Sequence, residues 1–407
     1  MRILNVTQSY APFDEYGGPP AKVRALSEGL AGRGHEVTVL TADWGLEKRL
    51  AQIGEGSAER CPFGWRRNVA GTTAIYLPTW LRYHATSWNP AVKRFCRARL
   101  RNFDVVHIFG LYDLLGPAVA AFCRRFGIRY VVEPIGMFVP IVRNLRMKRV
   151  YHALFGKGLF DGAAAVIATS EQERSALASG GVPPEKIVWR RNGVTLPEAF
   201  PERGKFRAAH GIPAEAQVVL FLGRLSSKKS PDLLLRAFAG LTSRLREREP
   251  WLVFAGPDGE GMKESLQRTA ARLEISSRIR FTGPVYGDEK WSAYRDADVF
   301  VLPSQNENFG NTALEAAGAG TPVIISEQCG VASLLREAAM VVPHDTGALR
   351  EAMEQILDVP QLRQRLSAAG RETAARLGWC EPLEQMEAVY ATLARAVPAS
   401  GQSEGQR

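Results

Sequence analysis

Two segments of this sequence bring together side chains with complementary chemistry. The first runs Pro303-Ser304-Gln305-Asn306-Glu307-Asn308-Phe309-Gly310-Asn311-Thr312-Ala313-Leu314-Glu315. It follows the apolar run Val299-Phe300-Val301-Leu302 and opens a stretch with helical spacing. Glu307 therefore falls in a strand-to-helix loop, and Glu315 stands ~6 Å along the helix axis at ~1.5 Å of rise per residue. The loop between them presents backbone N–H groups at the positive end of a helix, a ready site for a phosphate. A carboxylate accepts paired hydrogen bonds from vicinal hydroxyls. Two carboxylates flanking an anion site thus suit a sugar on one side and a ribose on the other. The alternative reading is a loop charge and a solvated helix residue.

The second segment, Gly223-Arg224-Leu225-Ser226-Ser227-Lys228-Lys229-Ser230-Pro231, follows another apolar run, Val218-Val219-Leu220-Phe221-Leu222. Ser230 can cap a helix whose first residue is Pro231. Arg224 and Lys229 then sit at the strand's carboxyl end, where a guanidinium and an ammonium would bind a diphosphate and stabilise the charge that grows as it leaves. Two solvated turn charges are the alternative. Gly17-Gly18, after the first strand, would let backbone approach a ligand closely, although such a pair is commonly only a turn.

The elements that must position these groups alternate along the chain. Ile3–Val6, Val37–Leu40, Val105–Ile108, Tyr130–Val132, Ala164–Ala168 and Ile187–Trp189 read as strands, with helical spacing at Ala21–Arg33 and Leu115–Phe126. A change of texture to Pro, Glu, Arg and Gly at 197–215 marks a boundary and a hinge. Beyond it a second alternating series follows: strands at 218–222, 251–254, 279–281, 299–302 and 322–325, helices at 232–245 and 263–273, and a last helix to Val397. At 407 residues, two domains are expected. We assign 1–196, completed by helix 380–397, and 197–379, each an α/β doubly wound parallel sheet, with a polar, disordered tail at 398–407. Ligands of such sheets bind at the carboxyl ends of the strands.

Composition bounds the partners. No apolar run reaches the ~18–20 residues that span a bilayer, and the amino terminus has no signal-peptide layout. Five scattered cysteines without a Cys-x-x-Cys pair fit a reducing compartment better than a disulfide framework or zinc site. The net charge of +10 calls for an acidic partner. It is concentrated in two carboxylate-free stretches: Arg82, Lys93, Arg94, Arg97, Arg99 and Arg101 between Leu81 and Phe103, and Arg143, Arg146, Lys148, Arg149 and Lys157 between Val142 and Phe160. Trp80, Trp88, Phe95, Leu145, Tyr151, Leu154 and Phe155 are interleaved with them. An interfacial helix on anionic lipid has this composition, and so does an ordinary helix with a solvated face. No nucleic-acid recognition motif is present.

In order, Gly17-Gly18-Pro19-Pro20, Gly34-His35-Glu36-Val37, Asn192-Gly193-Val194, Gly223-Arg224-Leu225 through Lys229, Phe254-Ala255-Gly256, Phe281-Thr282-Gly283, Pro303 through Glu315-Ala316 and Gly320-Thr321-Pro322-Val323-Ile324 resemble the retaining GT-B glycosyltransferases of family 4. The likeness spans about Arg2 to Tyr390. It implies a GT-B fold of two Rossmann-like domains facing across a cleft. It also implies a nucleotide-diphosphate sugar, with UDP or GDP as the nucleotide, and retained anomeric configuration without a metal or other cofactor. Matched position by position, Arg224 and Lys229 resemble the diphosphate-binding pair, Glu315 the ribose carboxylate, and Glu307 the carboxylate facing the donor hexose. Phe309, Gly310, Asn311 and Thr312 would supply contacts to sugar and phosphate. Gly17 or Gly18 would approach the diphosphate from the other domain, and Pro284-Val285 would lie near the base. Where many members carry a basic residue before a His-Gly-type turn, this chain has Ile135, so that contact would fall to Glu133 or to His107, read as ending a strand that faces the cleft. Ser230 stands where the family usually has Gly.

The expected reaction is front-face substitution in which the leaving diphosphate takes the acceptor's proton. The expected acceptor is a glycan or lipid-linked precursor in bacterial cell-surface polysaccharide synthesis, handled by a cytoplasmic protein, peripheral on the inner face of the membrane. A sugar-nucleotide epimerase or phosphorylase and a non-catalytic donor-binding subunit stay open as alternatives. A nicotinamide enzyme is disfavoured because the loop after strand one lacks Gly-x-Gly-x-x-Gly, and no Gly-x-x-x-x-Gly-Lys-[Ser/Thr] loop exists. Gly256-Pro257-Asp258-Gly259-Glu260-Gly261 is glycine-rich, but its two acids argue against a phosphate there.

Overall fold

A computed structural model of the chain describes residues 1–13, 17–83, 86–140, 145–242 and 250–395. The chain divides into two compact units: Met1–Arg191 together with the segment from Trp379 onward, and Asn192–Gly378. Arg143, the expected helix ends beyond Thr242 and Arg395, and the tail 398–407 lie outside the described residues.

Unit 1 is built on β1 (Arg2–Val6), β2 (Glu36–Ala42), β3 (Glu59–Cys61), β4 (Gly64–Val69), β5 (Thr72–Leu77), a separate hairpin of β6 (Leu81–Tyr83) and β7 (Thr86–Trp88), and then β8 (Val105–Phe109), β9 (Tyr130–Glu133), β10 (Ala165–Ala168) and β11 (Ile187–Trp189). The nine-stranded sheet runs β11-β10-β9-β8-β1-β2-β5-β4-β3. It is parallel from β11 to β5, with β4 and β3 added antiparallel at one edge. That edge corrects the expectation of a purely parallel sheet: Gly64 and Gly71 permit tight reversals at φ 144° and 82°, which parallel crossovers would not need. Its helices are α1 (Gly18–Gly32), α2 (Leu46–Ile53), α3 (Ala91–Arg99), α4 (Leu115–Phe126), α5 (Leu145–Tyr151), α6 (Lys157–Asp161) and α7 (Glu171–Ser179). Every residue of β8, β9 and β10 is buried, as expected of strands covered on both faces.

Unit 2 opens with α8 (Lys205–Ala209). It continues through β12 (Val218–Leu222), α9 (Pro231–Thr242), β13 (Trp251–Ala255), α10 (Met262–Arg272), β14 (Ile279–Gly283), α11 (Gly287–Asp296), β15 (Val299–Leu302), α12 (Asn311–Gly318), β16 (Val323–Ser326), β17 (Ala339–Val342), α13 (Thr346–Asp358) and α14 (Pro360–Arg376). Its sheet is wholly parallel in the order β14-β13-β12-β15-β16-β17. That is the doubly wound order, with its reversal between β12 and β15.

The stretch 197–215 is not a linker. The Asp296 carboxylate accepts the N–H groups of Gly204, Phe206 and Arg207, pinning the start of α8 to the end of α11. Val194 and Leu196 pack into the unit 2 core, and the Val194 N–H donates to the Leu377 carbonyl at 2.9 Å. The boundary therefore lies at 191/192 rather than 196/197, because apolar side chains upstream of the polar stretch already belong to the second core.

The last helix, α15 (Cys380–Arg395), belongs to unit 1. Leu383, Met386 and Tyr390 enter a core shared with Ile3, Val23, Leu26 and Phe109. Gly29 leaves room for Leu383, whose Cδ1 would stand 2.6 Å from any Cβ there. Met386 is fully buried, so Met386→Ala should cost about 2–5 kcal/mol. This would be read as a lower urea midpoint; an unchanged midpoint would mean that α15 contributes nothing to that core.

Candidate active site

At the reversal point of unit 2, β12 and β15 lie side by side, with Val219 opposite Val299 and Leu220 opposite Phe300. Their carboxyl ends carry the two segments singled out in the sequence, and the structure joins them. The Gln305 N–H donates to the Lys228 carbonyl at 2.9 Å, and the Lys229 ammonium donates to the Glu307 carboxylate at 2.6 Å. Lys229 folds back over Gly223, its Cδ 3.3 Å from the position a Cβ would take there. Burial would raise the Glu307 pKa, but the charge and hydrogen bond of Lys229 outweigh it and hold the carboxyl below its usual value.

The loop carrying Glu307 is clipped along its length. Glu307 N–H donates to the Gln328 carbonyl, Gly330 N–H to the Glu307 carbonyl and Val331 N–H to the Phe309 carbonyl. Phe309 is thereby buried, and Gly310 turns the chain at φ 101° into α12. No side chain caps this helix, and the Thr312 hydroxyl is buried without a hydrogen-bond partner. Asn311 Oδ1 stands 3.4 Å from Asn192 Nδ2. These features leave a helix end whose N–H groups are suited to an anion, with a spare hydroxyl donor beside it.

Glu315, the fifth residue of α12, is held from α11. Lys290 Nζ donates to one carboxylate oxygen at 2.9 Å and the Tyr294 hydroxyl to the other at 2.9 Å. Burial first, and the Glu315 charge second, push the Tyr294 phenol well above its ordinary value, so it remains a donor. Neither Lys290 nor Tyr294 was evident from the sequence. Their signal was a Lys and a Tyr four residues apart on the helix preceding β15, so that both face one side.

Arg224 is exposed, and its stem crosses Gly259, where a Cβ would collide with it. The glycine-rich loop 256–261 therefore packs beside this site as a side wall. Those acids are spent internally: Asp258 accepts the N–H groups of Met262 and Lys263 at the start of α10, and Glu260 accepts the N–H and hydroxyl of Ser227. Leu225 N–H donates to the Pro257 carbonyl, and a Cβ on Gly256 would run into the Gly223 carbonyl, so a glycine at 256 is needed for the two loops to touch. Val285 is buried in the core after β14, leaving only its backbone at that sheet end. Ser230 does adopt a left-handed conformation, φ 49°, but its hydroxyl is engaged by His344 Nε2 at 2.9 Å instead of capping α9.

In unit 1, Gly17 precedes α1 at φ 89° and is exposed, and a Cβ on Gly18 would meet nothing. The expectation for His107 is corrected. It is the middle residue of β8, fully buried, stacked on Phe109 at 3.9 Å, with Nδ1 2.7 Å from the Tyr390 hydroxyl and Nε2 3.4 Å from Glu133. Glu133 is also fully buried, paired with Lys22 and with Arg190 at 2.7 Å. Burial would raise the Glu133 pKa, but the Arg190, Lys22 and His107 contacts outweigh it. Burial lowers the Lys22 and His107 values. Neither Glu133 nor His107 reaches a surface where a sugar could lie. Ile135, at φ 55°, packs against the core.

Residues 202–373 match the glycosyl transferases group 1, and residues 17–193 the glycosyl transferase 4-like domain. D-inositol 3-phosphate glycosyltransferase of Thermomonospora curvata is 32% identical over 96% of this chain and 95% of its own length. D-inositol 3-phosphate glycosyltransferase 2 of Catenulispora acidiphila is 37% identical, and there the match spans about half of either chain, 56% of each. The chain belongs to the group 1 glycosyl transferases. The HepE protein of Anabaena, solved in complex with UDP and glucose, superposes with a TM-score of 0.75 at 15% identity over 96% of this chain and 99% of that one, which shows the GT-B fold.

A histidine with no access to solvent leaves a pH signature. The folded His107 binds its proton less readily than the unfolded one, so the stability it allows is complete above about pH 6.5 and falls as the pH drops below that value. His107→Gln should flatten this component of the melting temperature between pH 7.5 and 5.5. Parallel wild-type and variant profiles would show that the ring is not held neutral.

Proposed function

We propose that this protein is a retaining hexosyltransferase that moves a sugar from a nucleoside-diphosphate donor to a hydroxyl acceptor without a metal. The observation that carries this reading is the meeting of Lys229, Glu307 and the uncapped start of α12 at the reversal point of unit 2. A diphosphate at that helix end would take Lys229 from Glu307 and draw Arg224 from the loop's other edge. Glu307, kept ionised by its present partner, would be released to accept hydroxyls of the donor hexose. Glu315 has each oxygen engaged once, which leaves acceptor capacity on both for vicinal ribose hydroxyls.

The chemistry then needs no enzyme base. Lys229, Arg224 and the α12 N–H groups stabilise the charge developing on the leaving diphosphate, and one of its oxygens takes the proton of the attacking hydroxyl on the same face. UDP is favoured as the nucleotide because HepE, of the same fold, was solved with UDP and glucose. The relatives named as D-inositol 3-phosphate glycosyltransferases support a phosphate-bearing acceptor. The cationic, apolar surface of unit 1 favours an acceptor of that kind that is lipid-linked, met at the inner face of a membrane. No described helix is long and apolar enough to cross one.

Lys229→Ala should lower turnover by ~10²–10³-fold, the scale of losing a group that stabilises transition-state charge, with a smaller effect on nucleotide binding. The assay is release of nucleoside diphosphate from a panel of sugar nucleotides, run with inositol phosphate and with a lipid-linked glycan phosphate as acceptors. Near-normal turnover in the variant would remove Lys229 from the mechanism. Nucleotide release that needs no added acceptor would count against transfer to a hydroxyl acceptor.

A further inference from the structure

Unit 1 carries an apolar surface that its own core does not use. α5 has no buried residue, although Leu145, Met147 and Val150 are large and apolar; they are 38%, 53% and 55% exposed. Leu154, in the π-turn His152–Gly156 that joins α5 to α6, is 69% exposed. At the neighbouring hairpin Trp80 and Trp88 meet edge to face at 5.9 Å and are 72% and 49% exposed. Apolar side chains scattered singly over a surface need no partner, but two of these, Trp88 and Leu154, converge. Trp88 and Leu154 stand on one pocket of about 330 Å³, also lined by Leu115, Ala118 and Leu159.

The surroundings of that pocket are cationic. Lys93 and Arg124 are in its wall. α3 turns Val92, Phe95 and Cys96 inward and leaves Arg94, Arg97 and Arg99 exposed, and α5 adds exposed Arg146 and Arg149. No carboxylate occurs from Leu81 to Phe103 or from Leu145 to Phe160 to neutralise them. Exposed tryptophans, aliphatic side chains and basic residues without acids have the chemistry of an interface with anionic lipid headgroups, where the aromatic and aliphatic groups enter the acyl boundary and the cations meet phosphates. A purely polar anion such as nucleic acid would leave the aliphatic groups of α5 wet. The pocket's volume is that of a site for a small apolar ligand.

We propose that this face of unit 1 docks on an anionic phospholipid bilayer and that the pocket between Trp88 and Leu154 takes up one hydrocarbon chain from it. The inference rests on the reading that the acceptor is lipid-linked, and it gives the tail of such an acceptor a place on the protein. Charge brings the surface to the membrane, and chain uptake sets which amphiphile is retained there.

The test uses the full chain with vesicles of phosphatidylcholine, with and without phosphatidylglycerol, and no sugar nucleotide. Binding is expected to require phosphatidylglycerol and to weaken with salt. Each of Lys93→Gln, Arg94→Gln and Arg97→Gln should weaken it by about fivefold, the scale of one basic residue at an anionic surface. Phospholipid brominated in its acyl chains should quench tryptophan fluorescence, with the largest share of that quenching lost in Trp88→Phe. Ala121→Phe, an exposed pocket-wall position, should keep charge-driven binding and reduce the quenching. Binding indifferent to phosphatidylglycerol, or quenching undiminished in Ala121→Phe, overturns the proposal. So does self-association that Leu154→Glu abolishes, which would assign the face to a second copy of the chain. Because these readings need no turnover, a failure of the transferase assay would overturn the proposed function and leave them standing.

Discussion

The candidate site of unit 2 is built on one ion pair set across a topological reversal. β12 and β15 are neighbours, yet the chain leaves them in opposite directions around the sheet, so their loops part and leave a gap at the strand ends. Lys229 and Glu307 close that gap at 2.6 Å. Both side chains are about one-fifth exposed, so solvent screens the pair and its contribution to stability is modest. Its importance lies in placement: a cation and a carboxylate are brought together at the strand ends, each positioned by a loop with its own hydrogen bonds. The Glu315 triad follows the same logic. Lys290 and Tyr294 fix a carboxylate whose remaining lone pairs are available.

Unit 1 is organised around a different ionic centre. Glu133 gathers Lys22 from α1, His107 from β8 and Arg190 from the residue after β11, and His107 in turn meets Tyr390 of α15. Arg190 leads directly into the segment that leaves the unit, and α15 is the segment that returns to it. Removing two charges from water costs several kcal/mol per ion, so such a cluster is not a source of net stability. What it gives is register. A shift of any of these elements would leave a buried charge without its partner, which is more costly than the pair is favourable.

The fold class was legible because period and composition agree: fully buried strands read as continuous apolar runs, and the helices between them show regular spacing. The motif residues were legible because they fall at strand ends. The residues that finish the site were not. Lys290 and Tyr294 look like surface positions of an ordinary helix, and their role exists only because α11 packs beside α12. The contact of loop 256–261 with Arg224 was not legible either, and Asp258 and Glu260 have local N–H partners that no spacing rule reveals. His107 was misplaced by one structural detail. A histidine next to the last residue of an apolar run can sit near the exposed end of a short strand or in the buried middle of a longer one, and Phe109 continues β8 by one more residue. The antiparallel edge β3–β4 escaped notice because its strands are short and half exposed, so they lack a strong apolar pattern.

The two departures from the family pattern, Ile135 and Ser230, share one conformation, with φ of 55° and 49°. Left-handed backbone costs a residue with a Cβ roughly 1–2 kcal/mol, and glycine would occupy either place without that cost. A β-branched residue there is the more unusual of the two, so something must fix the turn around Ile135. Two contacts do so. Ile135 packs against the core shared with α15, and the adjacent Gly136 N–H donates to Glu173, which also accepts the N–H and hydroxyl of Thr169. The loop after β9 is thus held by apolar packing and a buried carboxylate where a basic ligand-binding side chain would otherwise stand. The consequence is a division of labour. Unit 2 carries charged groups of a kind suited to a nucleotide and its sugar, while this turn of unit 1 is a structural clamp.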